Sequence, residues 1–422
     1  MTYLKCLLGV PIAFVVAQGL RVESTPYATV TDERLQRPEA SDWLMYRRTY
    51  DGSGYSPLQR INTSNVGKLS LAWSLSTDLI EAHETTPIVN RGRMFITTPG
   101  NNVIALNAKT GTQLWRYVKK YPDGLFQLHP TNRGVALYGN RVYMATTDCQ
   151  LVALDAATGK EDWSVPIDDY KTGCYATLAP LAARGKILVG YSGGEFGVRG
   201  SGSAFDADTG KRPWRTYTVP APEEPGGATW KGDTYKSGGG SIWITGVFDP
   251  ASNITTGVLE IRHRGLPPKG DVPKSDAAGF YVGYQAESIF GSVRTSAGAA
   301  DHLGELQAWD LNTGRRVWQH NFKTILWAPL LVPGGDVVFA GGTPDREFRA
   351  FHARTGNQLW SFPAPAGVIG VPTSFEVDGE QYIAVTAGWG LDAQGTQNGI
   401  DKIQGTTTLV PKGGTVLVFK IR

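Results

Sequence analysis

Five stretches of the chain repeat one pattern of apolar and polar positions. VIALNAKTGTQLW ends at Trp115, LVALDAATGKEDW at Trp163, GSAFDADTGKRPW at Trp214, LQAWDLNTGRRVW at Trp318 and FRAFHARTGNQLW at Trp360. Successive residues such as Val103, Ile104, Ala105 and Leu106 fall on alternate faces with the strand period of two. A short polar linker with Thr-Gly follows, and its glycine supplies the positive φ that a tight turn needs. A second strand then opens with the tryptophan. Each repeat predicts a β-hairpin.

The spacing extends the hairpins to an architecture. The tryptophans lie 48, 51, 104 and 42 residues apart, and Trp73 in LAWSL lies another 42 upstream. One four-stranded propeller blade takes about 40–50 residues. The interval of 104 then holds two blades, one without the signature. The fold expected is all-β, a β-propeller of about six four-stranded blades over residues 40–422, with ring closure left open. TVLVFKIR at the C-terminus reads as a closing strand. Because the five tryptophans recur at equivalent positions, they read as inter-blade packing residues and not as a cofactor site. A site is sought among residues that break the repeat.

Composition agrees with short strands and many turns: 52 Gly, 25 Pro, 12 Trp, 17 Tyr and only 19% charged residues. The net charge of +3 and the lack of a Lys/Arg run argue against a nucleic-acid partner. Residues 1–19 read as a secretory signal, with Lys5, an apolar run from Cys6 to Val16 and Ala17-Gln18-Gly19. That run is too short for a stable membrane span. A periplasmic or secreted protein is expected. Cys149 and Cys174 remain in the mature chain, as a pair or as two free thiols. There is no Cys-x-x-Cys-His for a covalent haem. Residues 256–290 are rich in Pro, Gly and charge, and read as a linker-like irregular segment.

Several segments break the repeat: DWLMYRRTYDGSGYSPLQRINTSNVGKLSLAWS over 42–74, AHETTP over 82–87, TNRGVAL over 131–137, TLAP over 177–180, YSGGEFGVRG over 191–200 and SGGGSIW over 237–243. In this order they resemble the pyrroloquinoline-quinone (PQQ) alcohol dehydrogenases, the quinoprotein family that includes methanol dehydrogenase. The resemblance covers about residues 40–255 and 300–420. It implies an eight-bladed propeller in the family, PQQ and calcium as cofactors (a lanthanide less so), an alcohol substrate and a separate cytochrome c as electron acceptor. It also implies that Glu195 is a metal ligand, a hard oxygen donor suited to calcium. Gly193 and Gly194 would let backbone approach the cofactor. Arg133 would clamp a PQQ carboxylate. Glu84 and Thr177 would touch the cofactor rim, Ser241 and Trp243 its floor, and Trp327 would be a second contact. The bland readings are a surface ion pair for Arg133, a solvated loop carboxylate for Glu195, and plain core for Trp243 and Trp327.

The chain also departs from the family pattern. Gln127 and Leu128 stand where relatives carry two adjacent cysteines. The asparagine metal ligand is expected near Ile261, which cannot ligate calcium. The Trp-Asp segment with the catalytic aspartate is not found, and only 75 residues separate Trp243 from Trp318. An internal deletion accounts for all three of these last points. The expected function is periplasmic alcohol oxidation with PQQ and a divalent metal. The alternative is a catalytically degenerate repeat propeller acting as a binding or scaffold protein.

Overall fold

In a computed structural model of the chain, which describes residues 27–256 and 302–422, each Thr-Gly motif forms the turn between two antiparallel strands. The five turn glycines, Gly111, Gly159, Gly210, Gly314 and Gly356, all hold φ between +64° and +78°. Each donates its N–H to the carbonyl four residues back, as Gly159 does to Asp155 at 2.8 Å. The residue at that position closes the turn from the side chain too: Asp155 Oδ1 accepts from both the N–H and the hydroxyl of Thr158.

These hairpins belong to larger sheets. Four sheets have four strands. One runs through Ile88–Asn90, Arg93–Thr98, Asn102–Asn107 and Gln113–Tyr117. The next holds Ala136–Tyr138 to Glu161–Pro166, and the third Leu181–Ala183 to Trp214–Tyr217. The fourth joins the two ends of the repeat region. Its outer strand Leu69–Ser76 pairs with Thr415–Ile421, which pairs with Glu380–Ala387 and then Thr373–Val377. A three-stranded sheet spans Val337–Ala340 to Gln358–Pro363. Two-stranded sheets cover Val247–Thr256 and Gly304–Phe322. No closed sheet is present among the described residues.

The tryptophans bind neighbouring sheets, as their recurrence implies. Trp115 Nε1 donates to Ala156 O at 3.2 Å in the next turn, and its ring lies where a Cβ on Gly159 would stand, 2.4 Å away. Trp73 repeats this on Ala108 and Gly111, and Trp318 on Ala353 and Gly356. Trp163 packs on Gly210, but the matching carbonyl of Ala207 is taken by the Tyr143 hydroxyl. Trp360 reaches Leu69 O at 3.0 Å, tying the three-stranded sheet to the end-joining one. Trp214 departs from the expectation. It stays 43% exposed, and a Cβ on Gly314 would meet nothing within 4 Å among the described residues.

The segment 42–56 crosses between sheets. Trp43 bridges to Val89, the Tyr50 hydroxyl donates to Ala182 O, and Tyr55–Ser56 pairs in parallel with Val332–Pro333. Cys149 and Cys174, which the sequence left open, form a disulfide. The signal expected over 1–19 and the site of Ile261 lie outside the described residues, as does the expected irregular segment except for Thr256, which ends a strand.

Candidate active site

Three loops that lead into innermost strands each present one polar side chain. Glu84 precedes Ile88–Asn90, Arg133 precedes Ala136–Tyr138, and Thr177 precedes Leu181–Ala183. The Asn-Arg-Gly turn explains how Arg133 is aimed. Asn132 is buried; its Oδ1 accepts from Gly134 N–H at 3.0 Å and its Nδ2 donates to Ala145 O at 2.9 Å. Gly134 takes φ +134°. Backbone bonds then lace the loops together, Thr86 N to Arg133 O and Arg133 N to Thr177 O, both at 3.0 Å.

The guanidinium of Arg133 gathers the group. Nη2 lies 2.7 Å from Glu84 Oε2, and Nη1 donates to Thr177 Oγ1 at 2.7 Å. Its carbon stands 5.0 Å from the centre of the Trp243 ring. Both carboxylate and guanidinium are largely buried, so removing one partner would cost more than breaking a surface contact. Next to it, Ser241 Oγ accepts from Gly194 N–H at 2.9 Å. Gly193 holds φ +113°, and a Cβ on Gly194 would meet Ser241 Oγ at 2.9 Å. The backbone there is bare of side chains by necessity.

Glu195 follows directly and accepts a short hydrogen bond from the Tyr175 hydroxyl. Burial, then the charge of Glu195, pushes the Tyr175 phenol far up, so it stays a donor. His129 completes this corner. Its Nε2 is 4.0 Å from Glu195 Oε1, and its Nδ1 is 2.7 Å from Asp392 Oδ2, an ion-pair approach bent away from hydrogen-bond alignment. Burial works against a proton on His129, yet Asp392, Glu195 and Glu84 outweigh it and hold the imidazole above its usual pKa. Asp392 comes from the first turn of the helix Leu391–Gln404.

Eight of the nine sequence-predicted residues therefore converge. Glu84, Arg133, Thr177 and Trp243 touch directly; Gly193, Gly194, Ser241 and Glu195 form the adjoining wall. Trp327 does not join them in any recorded contact. It packs with Ile369, Trp389, Ala393 and Val410 beneath the helix that carries Asp392. The sequence reading missed Tyr175, His129 and Asp392. His129 had one available signal, its place in the HPTNRG string beside Arg133.

PQQ is a planar tricarboxylate, and the site fits it. Arg133 has five N–H donors and directs one to each of Glu84 and Thr177. Trp243 Nε1 is buried without a partner, a cost that a ligand acceptor would remove. The bare glycine backbone allows close approach. The metal fits less well. Glu195 is one hard ligand where calcium takes about six to eight oxygens, and among the described residues no three His, Cys, Asp or Glu are arranged to hold an ion.

The loops place a buried guanidinium against a tryptophan face on an array of propeller-type sheets. The chain belongs to the family described as "PQQ: Glucose/ethanol/alcohol dehydrogenase, beta-propeller domain", whose model matches residues 43–255 and 319–383. It is 28% identical to the quinohemoprotein alcohol dehydrogenase ADH IIB of Pseudomonas putida over 516 aligned positions, covering 85% of this chain and 75% of that one. It is 35% identical to the dehydrogenase subunit of the Gluconobacter oxydans alcohol dehydrogenase (quinone), over 75% of this chain and 42% of that one. In fold it resembles a europium-containing methanol dehydrogenase, with a TM-score of 0.74 at 24% identity over 92% of this chain and 99% of that one. No described helix is long and apolar enough to cross a membrane.

Proposed function

We propose that this chain is a periplasmic quinoprotein dehydrogenase that oxidises alcohols with PQQ and passes electrons to a separate cytochrome c. The convergence of Glu84, Arg133, Thr177 and Trp243 on one buried point carries the reading. A scaffold propeller has no need of a buried guanidinium held over a tryptophan ring. Residues 1–19 act as the export signal, and 40–422 form a single propeller. An internal deletion of the region that carries the catalytic aspartate in the family is in keeping with the alignment to ADH IIB, whose 516 positions exceed this chain's 422 residues.

Bound PQQ supplies a two-electron acceptor for the hydride of an alcohol. The rest is the work of side chains. Arg133 would hold a cofactor carboxylate bidentately, with Glu84 and Thr177 fixing its plane. Trp243 would carry the ring. Ser241 keeps the Gly193-Gly194 backbone in place. Glu195 holds negative charge at the inner wall, steadied by the Tyr175 hydroxyl. A metal at Glu195, calcium before a lanthanide, would draw its remaining ligands from cofactor and solvent. No step is routed through it.

Tryptophan fluorescence of the purified chain, titrated with PQQ in the presence of calcium, tests the reading. Saturable quenching is expected, with affinity about 30-fold weaker in Arg133→Lys, about 2 kcal/mol. Quenching that fails to saturate would return the chain to the scaffold class.

A further inference from the structure

A cavity of about 110 Å³ adjoins the candidate site. Residues between Met45 and Gly52 line one side, and Leu181 and the run Thr245 to Val247 line the others. Leu181 opens the strand that follows Thr177, and Thr245 stands two residues after Trp243, so the cavity shares its supports with the Arg133 cluster. The Thr245 hydroxyl donates to Ala179 O at 2.7 Å and joins the two supports. Gly52 holds φ +67°, and a Cβ there would meet Val247 Cγ1 at 3.1 Å, so a side chain at that position would crowd the space. Val247 is 36% exposed, which brings one wall of the cavity to solvent.

The lining has donors to spare and no acid. No Asp or Glu contributes to it. Arg47 carries five N–H donors. Its Nη1 donates to Leu330 O at 2.8 Å, while Gly52 O and Ser53 O lie 3.5 Å away, at the limit of a hydrogen bond. Among the described residues no carboxylate pairs with it, and the one charge effect on it comes from Tyr46. A partly buried cation without a counter-ion is costly. Tyr46 is only 8% exposed, and its hydroxyl has no hydrogen-bond partner among the described residues. Burial raises the Tyr46 pKa, so the phenol stays a donor. The Thr49 and Thr245 hydroxyls already donate, to Asp51 and to Ala179 O. The free donors are therefore those of Tyr46 and Arg47, and the remaining wall of Met45, Leu181 and Val247 is apolar.

We propose that this cavity binds a short-chain carboxylate, of acetate or propionate size, with its oxygens on Arg47 and Tyr46 and its alkyl end against Met45, Leu181 and Val247. A planar guanidinium suits a carboxylate, and the orphan phenol gains the acceptor it lacks. Size sets the class. A cavity of about 150 Å³ takes a benzene ring, so one of about 110 Å³ takes a slightly smaller molecule. PQQ, a fused ring system with three carboxylates, is too large for it. The cavity and the Arg133 cluster therefore take different ligands, although both attract carboxylates.

Saturation-transfer NMR of propionate with the purified chain, at constant ionic strength, is the test. Saturable binding is expected. Tyr46→Phe should weaken it about tenfold, because that variant removes one donor and breaks no recorded hydrogen bond. Arg47→Gln should abolish it. Arg47 also holds Leu330 O, so the thermal midpoint of Arg47→Gln is recorded alongside, and Tyr46→Phe decides the matter if Arg47→Gln does not fold. Neutral 1-propanol, of the same length, should bind at least about tenfold more weakly than propionate. Excess PQQ should leave the propionate signal unchanged. Propionate binding that fails to saturate, or that Tyr46→Phe leaves intact, would overturn the proposal and assign the cavity to water. Displacement of propionate by PQQ would also overturn it, because the carboxylate would then sit at Arg133.

Discussion

Trp115 and Trp214 occupy the same place in the same repeat and meet different fates. Trp115 lies on the glycine of the next turn and donates to its neighbouring carbonyl. Trp214 stands 43% exposed, and at Gly314, the next Thr-Gly glycine along the chain, a Cβ would meet nothing within 4 Å among the described residues. The difference is shared by their surroundings. Leu106, Leu154, Phe205 and Phe351 just before their turns are buried, as are Ala108, Ala156 and Ala207 two positions on, whereas the equivalent Trp309 is 53% exposed and Leu311 is 99% exposed. A repeat specifies a hairpin locally, but its tryptophan is stabilised only when a neighbouring sheet brings up the matching turn. The site keeps to the packed side: Glu84, Arg133, Thr177 and Glu195 all lie in the loops of the first three sheets.

The comparison can be broken most directly at Trp115. Trp115→Ala should cost about 4 kcal/mol from lost packing, read as a large drop in the urea midpoint. A loss below about 1 kcal/mol would remove the packed side from the argument.

A second test is pH, because the packed side also buries His83. Its Nδ1 lies 2.6 Å from Glu81 O, its Nε2 lies 2.7 Å from Thr77 Oγ1, and Gly388 and Gly414 close against its ring. Burial pulls its pKa down from 6.5 to about 4. The folded chain keeps it neutral while the unfolded chain protonates it near 6.5, so between these values the unfolded state holds more protons. Stability should therefore fall as the pH drops from 6.5 to 4, by about 3 kcal/mol, and this group should contribute no slope above that window. Thermal midpoints of wild type and His83→Asn across that range should converge at the acid end; parallel curves would sink the assignment. The smallest effect belongs to the bare flank, where Trp214→Ala should shift the urea midpoint by less than about 1 kcal/mol. A loss equal to that of Trp115→Ala would show that Trp214 is covered in solution.

Sequence patterns carried much of this because they are local. Thr-Gly followed by Trp marks a turn and a strand wherever it occurs, and the Asn-Arg-Gly turn aims Arg133 with bonds made within a few residues. What escaped depends on distant segments meeting. Asp392 reaches His129 only because the helix after Glu380–Ala387 comes back over loops about 260 residues earlier. Tyr175 sits in YATLAP with nothing in its neighbours to point it at Glu195. Trp327, expected as a cofactor contact from its string, packs against the cluster beneath that helix. Whether Cys149 and Cys174 pair was likewise a matter of distance, settled at 5.8 Å between their Cα atoms.

The pairing of Leu69–Ser76 with Thr415–Ile421 has a consequence for synthesis. A ribosome adds about 5–20 residues per second, so Leu69–Ser76 waits tens of seconds for its partner to emerge. During that wait its backbone is an open edge, the kind of surface on which chains aggregate. Its alternating burial pattern, with Ser70, Ser74 and Ser76 among the apolar positions, lowers that hazard. The yield of folded protein should therefore depend on how soon the last strand arrives, and slow translation or early truncation should be punished at Leu69–Ser76.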